Sequence, residues 1–138
     1  MEILSSQAAA ALLRRAGVPV TIQRLEIARA LFSRPVHVSA DQVLAMVHAS
    51  APETSRATVY NTLKLFREKK LVKELIVDPE RVVYDSNTHP HYHLYDVNTG
   101  ELTDVSADEL QVIGVPRLPP DVELEQVDVI IRVRGKAV

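Results

Sequence analysis

Three of the chain's five histidines, His89, His91 and His93, fall within five residues of one another, at the end of the stretch YDSNTHPHYH (Tyr84 to His93). Imidazole is the commonest protein metal ligand and the side chain most readily switched near neutral pH. On an extended segment, residues two apart project from the same face, so His91 and His93 present their rings together. Asn98-Thr99-Gly100 then signals a hairpin. With Thr99-Gly100 as a two-residue turn, Asp104 pairs opposite Tyr95 and lies on the histidine face, diagonal to His93. Asp85, just before the linker, can swing to the same place, and His37, in a loop between the second and third predicted helices, is the remaining candidate. Three imidazoles and two carboxylates form a mixed N/O set for Fe(II), Mn(II) or Zn(II). Five protein ligands that include carboxylates fit iron or manganese better than tetrahedral structural zinc. The bland reading is that His-x-His pairs are common as solvated side chains. A third reading takes His91, His93 and one carboxylate as the facial triad of a small non-haem iron oxygenase. His48 reads as an ordinary helix position, and His89, followed by Pro90, as a linker residue.

The elements that must hold these residues follow from caps and periodicity. Ser5 or Ser6 can cap a first helix with Ala8, Ala9, Leu12, Leu13 and Ala16 at helical spacing, stopped by Gly17 and Pro19. Thr21 caps a second, ended by Pro35. Ser39 caps a third, with Asp41 in its first turn. Ser55 caps a fourth, RATVYNTLKLFREKK. The segments Leu71 to Val77 and Arg81 to Tyr84 read as a β-hairpin about Asp78-Pro79-Glu80. This order predicts a winged helix-turn-helix. In the fourth helix Val59, Leu63 and Phe66 share one side. Arg56, Tyr60, Asn61, Lys64 and Arg67 then lie on or beside the exposed face, and such residues contact phosphates and base edges in a major groove. Further on, His91 to Val97, Glu101 to Val105 and Asp128 to Val133 read as strands. Ser106 to Glu109 can start a helical turn, which the prolines beyond it keep short. The fold class expected is α+β: a winged-helix domain over residues 1–84 and a small α/β dimerisation domain over 85–138.

Charge divides the chain at the same seam. Residues 1–84 hold 12 Lys/Arg against 8 Asp/Glu, giving +4; residues 85–138 hold 4 against 10, giving −6. Such asymmetry is expected where one half alone approaches a polyanion. The absence of cysteine excludes disulfides, thiolate zinc and a thiol redox switch. No apolar run reaches the ~20 residues of a membrane span, so no membrane partner is expected. The N-terminal residues lack the pattern of a secretory signal, which makes a cytoplasmic location the expectation. About 50 residues in the second half are too few for a self-sufficient core, which points to a homodimer.

The segments TIQRLEIARALF, HVSADQVL, SRATVYNTLKLFREKKLVKEL, YDSN and HYHLYD resemble the ferric uptake regulator (Fur) superfamily, most closely its peroxide-responsive PerR branch. The likeness spans residues ~10–106 and fades over the last 30. It implies a metal-dependent, dimeric repressor of promoter DNA, not an enzyme. His37, Asp85, His91, His93 and Asp104 match the regulatory-metal ligands of PerR-like proteins, where Fe(II) or Mn(II) binds. Asp104 stands where iron-sensing relatives generally carry glutamate. In PerR-like proteins the iron-loaded site reacts with hydrogen peroxide and a ligand histidine gains oxygen; His37 and His91 stand at the positions that oxidise. For DNA the resemblance implies contacts from Arg15, Thr21, Gln23, Arg24, Ser55, Arg56, Thr58, Tyr60, Asn61 and Lys64. Iron-, manganese- or haem-responsive (Irr-like) regulation without peroxide chemistry is the alternative within the family. Most relatives carry two Cys-x-x-Cys pairs that hold a structural zinc; here Asp96 and Thr99 stand at the first, so no structural four-cysteine zinc site is expected.

Overall fold

The computed structural model describes residues 3–136. The chain forms two compact units, Met1–Thr88 and His89–Val138. The first holds α1 (Ser6–Arg15), α2 (Ile22–Phe32), β1 (His37–Val38), α3 (Ala40–Val47), α4 (Arg56–Glu68), β2 (Lys73–Asp78) and β3 (Arg81–Asp85). The second holds β4 (His91–Asp96), β5 (Leu102–Ser106) and β6 (Ile130–Val133). All four helices of this α+β chain, among the described residues, therefore belong to the first unit.

Each helix begins at a hydroxyl that accepts a backbone N–H three residues on: Ser5 from Ala8, Thr21 from Arg24, Ser39 from Gln42 and Ser55 from Thr58. These oxygens satisfy donors that the first helical turn leaves without partners. Ser39 adds a capping box, with Gln42 Oε1 accepting from its backbone N–H at 2.8 Å. Helix α1 ends on Gly17 at φ +74°, with Val18 N–H donating back to Leu13 and Gly17 N–H to Arg14. Helix α4 ends in the same six-to-one pattern, Leu71 to Phe66 and Lys70 to Arg67, but the left-handed residue there is Lys70, φ +61°.

The core of the first unit gathers one face of each helix. Ala9 and Leu13 of α1, Ile27 and Leu31 of α2, Val43 and Val47 of α3, and Val59, Leu63 and Phe66 of α4 are all buried. Phe32 and Phe66 stack with ring centres 5.8 Å apart. Strands β2 and β3 form the wing, a hairpin with Asp78 opposite Arg81 across Pro79-Glu80 and a register shift between Ile76 and Asp78. The short strand β1 adds antiparallel to the other edge of β3, giving the order β1-β3-β2. This strand corrects the expectation that His37 sits in a loop: His37 pairs opposite Asp85.

In the second unit β4 is central, antiparallel to β5 and parallel to β6. The hairpin register also differs from expectation. Asp104 faces His93 directly, and Tyr95 faces Leu102. The turn is therefore four residues, 97–100, closed by Asp96 N–H to Glu101 O at 2.9 Å, rather than Thr99-Gly100 alone. Asp96 Oδ1 accepts from Asn98 N–H at 2.9 Å and organises the longer loop. A shift of two residues leaves the face unchanged, because side chains alternate with period two. Ser106 to Glu109 makes one hydrogen-bonded turn and goes no further.

Candidate metal centre and nucleic-acid interface

Histidine and carboxylate side chains group in each unit. In the first, the β1–β3 pairing sets His37 beside Asp85, with His37 Nε2 3.3 Å from Asp85 Oδ2. The Asp85 side chain is 1% exposed. Its Oδ1 accepts the N–H of Asn87 at 2.9 Å, which holds the carboxylate at the end of β3. A buried carboxylate is tolerated only where hydrogen bonds or a cation offset the lost hydration.

In the second unit, His91 and His93 project from one face of β4 and Asp104 from the facing position on β5. The two Nε2 atoms stand 3.1 Å apart, with Asp104 Oδ1 3.6 Å from the first and 3.7 Å from the second. Donor atoms bound to one ion at about 2.1 Å lie roughly 3.0 Å apart at a right angle and about 3.4 Å apart at the tetrahedral angle. The separations are close to those a shared ion requires. The backbone carbonyl of His89 lies 2.6 Å from His91 Nδ1. A carbonyl only accepts, so Nδ1 carries the proton and a neutral His91 turns a bare lone pair at Nε2 toward His93 and Asp104. His89 enters through this carbonyl. His93 is 6% exposed and is the one buried residue of the second unit among those described. The donors in both units are nitrogen and oxygen with no sulfur, which fits Fe(II), Mn(II) or Zn(II) by ligand type.

The exposed face of α4 carries Arg56, Tyr60, Asn61 and Lys64, while Val59, Thr62, Leu63 and Phe66 are buried behind it. Ser55 caps the helix, and its hydroxyl also lies 2.9 Å from that of Thr58. Those two hydroxyls thus serve the helix start. Arg56 Nη1 lies 2.6 Å from Asp41 Oδ1, in the first turn of α3. Arg67 reaches Glu74 of the wing at 3.7 Å. Near the start of α2, Thr21 accepts the Arg24 backbone N–H, and the Arg24 guanidinium donates to the Pro19 carbonyl at 2.9 Å. Gln23 is half-buried beside them and Arg15 is exposed in the last turn of α1. Sequence reasoning assigns Asp41 only to a helix start and His89 only to a linker. Both act through partners that no helical or strand period reveals.

Comparisons with known proteins agree on the family. The profile of the Ferric uptake regulator family matches residues 15–131. The peroxide-responsive repressor PerR of Staphylococcus aureus (strain USA300) is 38% identical over 101 residues, covering 73% of this chain and 68% of that one. Among solved structures, the ferric uptake regulator of Pseudomonas aeruginosa with manganese aligns with a TM-score of 0.71 at 25% identity, over 94% of this chain and 98% of that one. The Campylobacter jejuni peroxide stress regulator aligns with a TM-score of 0.65 at 23% identity, over 99% and 98%. No helix among the described residues is long and apolar enough to cross a membrane.

Proposed function

Because the chain belongs to the ferric uptake regulator family, we propose that it is a homodimeric repressor of promoter DNA, that it acts with Fe(II) or Mn(II) bound, and that hydrogen peroxide relieves repression. The observation that carries this reading is the set His91, His93 and Asp104, whose donor atoms converge on one point. His37 and Asp85, paired in the first unit, are its candidate metal ligands. Fe(II), when bound there, would supply the electron that cleaves peroxide next to an imidazole. The residues of this chain do the rest. The His89 carbonyl keeps the His91 lone pair directed, the two carboxylates offset the charge of a divalent cation, and His37 and His91 are the side chains that take up oxygen. The element proposed to enter DNA is α4. There Tyr60 and Asn61 face the bases, and Arg56 and Lys64 meet phosphates, with Arg15, Thr21, Gln23 and Arg24 flanking them.

The second unit supports a dimer. Its one buried described residue is a histidine, and Ile113, 90% exposed, with Val115 and Leu124 leaves apolar surface that a second copy would cover. The likeness to a manganese-bound Fur favours, as a second reading, an iron- or manganese-responsive regulator without peroxide chemistry.

The test is anaerobic fluorescence anisotropy on a duplex from the protein's own promoter, with apo, Mn(II)- and Fe(II)-loaded protein, before and after peroxide. Binding is expected with either metal, to be lost on peroxide addition in the Fe(II) form alone, with one oxygen atom gained by peptides holding His37 or His91. Binding indifferent to peroxide selects the second reading. His91→Ala should keep the helical circular dichroism and lose metal-dependent binding; normal binding by that variant removes the site.

A further inference from the structure

We propose that Asp41 is a negative determinant of DNA affinity: it competes with backbone phosphate for Arg56 and so weakens binding to the operator and to other duplexes alike. The inference rests on the DNA-binding reading above and concerns a residue that reading leaves out. The carboxylate of Asp41 and the guanidinium of Arg56 meet at 2.6 Å, and both side chains stay largely exposed, 61% and 63%. Neither is sequestered by the fold, so the pair lies on the surface where DNA would approach.

The local structure explains the contact. Ser39 and Gln42 lock the start of α3 through their capping box, which sets Asp41 in the first turn. Ser55 and Thr58 lock the start of α4, which sets Arg56 at its first position. Two helix N-termini thus bring together side chains 15 residues apart. A lone arginine at a helix N-terminus opposes the helix dipole, whereas an aspartate is favoured there. Asp41 therefore offsets a charge that is unfavourable in the free protein and useful only against a polyanion. The guanidinium presents a planar fork that suits carboxylate and phosphate oxygens alike. A phosphate that takes Arg56 must displace Asp41. That cost applies on every sequence. Phosphate contacts carry no sequence information, so the pair lowers affinity for the operator and for other duplexes by a similar factor.

The experiment compares metal-loaded wild type, Asp41→Asn, Arg56→Ala and the double variant, by anisotropy on the promoter duplex and on an unrelated duplex over a salt series. Asn keeps the size of the side chain and leaves the Ser39–Gln42 box intact; thermal melts check that the fold is unchanged. Asp41→Asn should tighten binding to both duplexes about 5–10-fold at low salt. The slope of log K against log salt should steepen by about 0.9, one further phosphate contact. Arg56→Ala should cancel the gain, so that the double variant matches Arg56→Ala alone. Unchanged or weaker binding by Asp41→Asn, or a gain that survives Arg56→Ala, overturns the inference. If wild type binds neither duplex in the metal-loaded form, the DNA-binding reading itself fails and the inference falls with it.

Discussion

At the residue scale, the chain uses a few polar side chains inside or beside its apolar surfaces, and several have an identifiable partner. Asp85 is the clearest: a buried carboxylate between a histidine and a backbone N–H. Tyr84, its neighbour on β3, faces into the helical core. Burial pushes its hydroxyl pKa up, and the nearby Glu74 and Tyr60 add to the shift while Arg67 opposes it. The sign of the linkage follows. A phenol whose folded pKa lies above its unfolded value contributes stability that is fully present below about pH 10 and is lost as pH rises through the folded pKa. Tyr84→Phe should therefore flatten the alkaline limb of a stability-versus-pH curve measured by urea denaturation, while leaving the neutral region close to wild type. An unchanged alkaline limb would show that the phenol has no part in it.

At the scale of elements, helix ends decide the geometry of the surface proposed to face DNA. Four hydroxyl caps start the four helices, and α1 and α4 stop on left-handed residues. Gly17 adopts that conformation without steric cost, and a Cβ there would meet only Lys69 Nζ, in ordinary contact at 3.9 Å. Lys70 does bear the cost, since a left-handed backbone crowds a Cβ against the carbonyl by roughly 1–2 kcal/mol. Lys70→Gly should stabilise the first unit by about 0.5–1 kcal/mol, measured as a shift of the urea midpoint at constant m. A destabilised variant would mean that the Lys70 side chain makes a contact of greater worth. Both helix stops come just before chain that must turn, into α2 and into the wing, so they aim the elements that follow as much as they end the helices.

At the scale of the whole molecule, the two units differ in how they are held together. The first has a continuous apolar core from four helices and the wing. The second has three strands and a long exposed segment, 107–129, without regular structure. The first unit should therefore keep its helical circular dichroism in excess EDTA, since its stability comes from buried side chains and the chain has no cysteine for structural zinc. Collapse of the helical signal would reveal a structural metal. In sedimentation velocity, wild type should run as a dimer, and Ile113→Asp combined with Leu124→Asp should shift it to monomer at micromolar concentration. A monomeric wild type would remove the proposed apolar interface.

The local features were readable from sequence alone. A hydroxyl residue before an apolar helical period marks a cap, as Ser5, Thr21, Ser39 and Ser55 do, and the period of α4 separates Val59, Leu63 and Phe66 from Arg56, Tyr60, Asn61 and Lys64. The sharing of a face by His91, His93 and Asp104 was also readable, because strand alternation survives an even change of register. The register itself was not, since the four-residue turn depends on the Asp96 side chain folding back onto Asn98. Nor was the two-residue strand that pairs His37 with Asp85, because so short a segment has no period and exists through its hydrogen bonds to β3. The Asp41–Arg56 pair belongs to the same class. It joins two helix starts whose separation in the chain carries no pattern, and only the packing of α3 on α4 brings the two charges together.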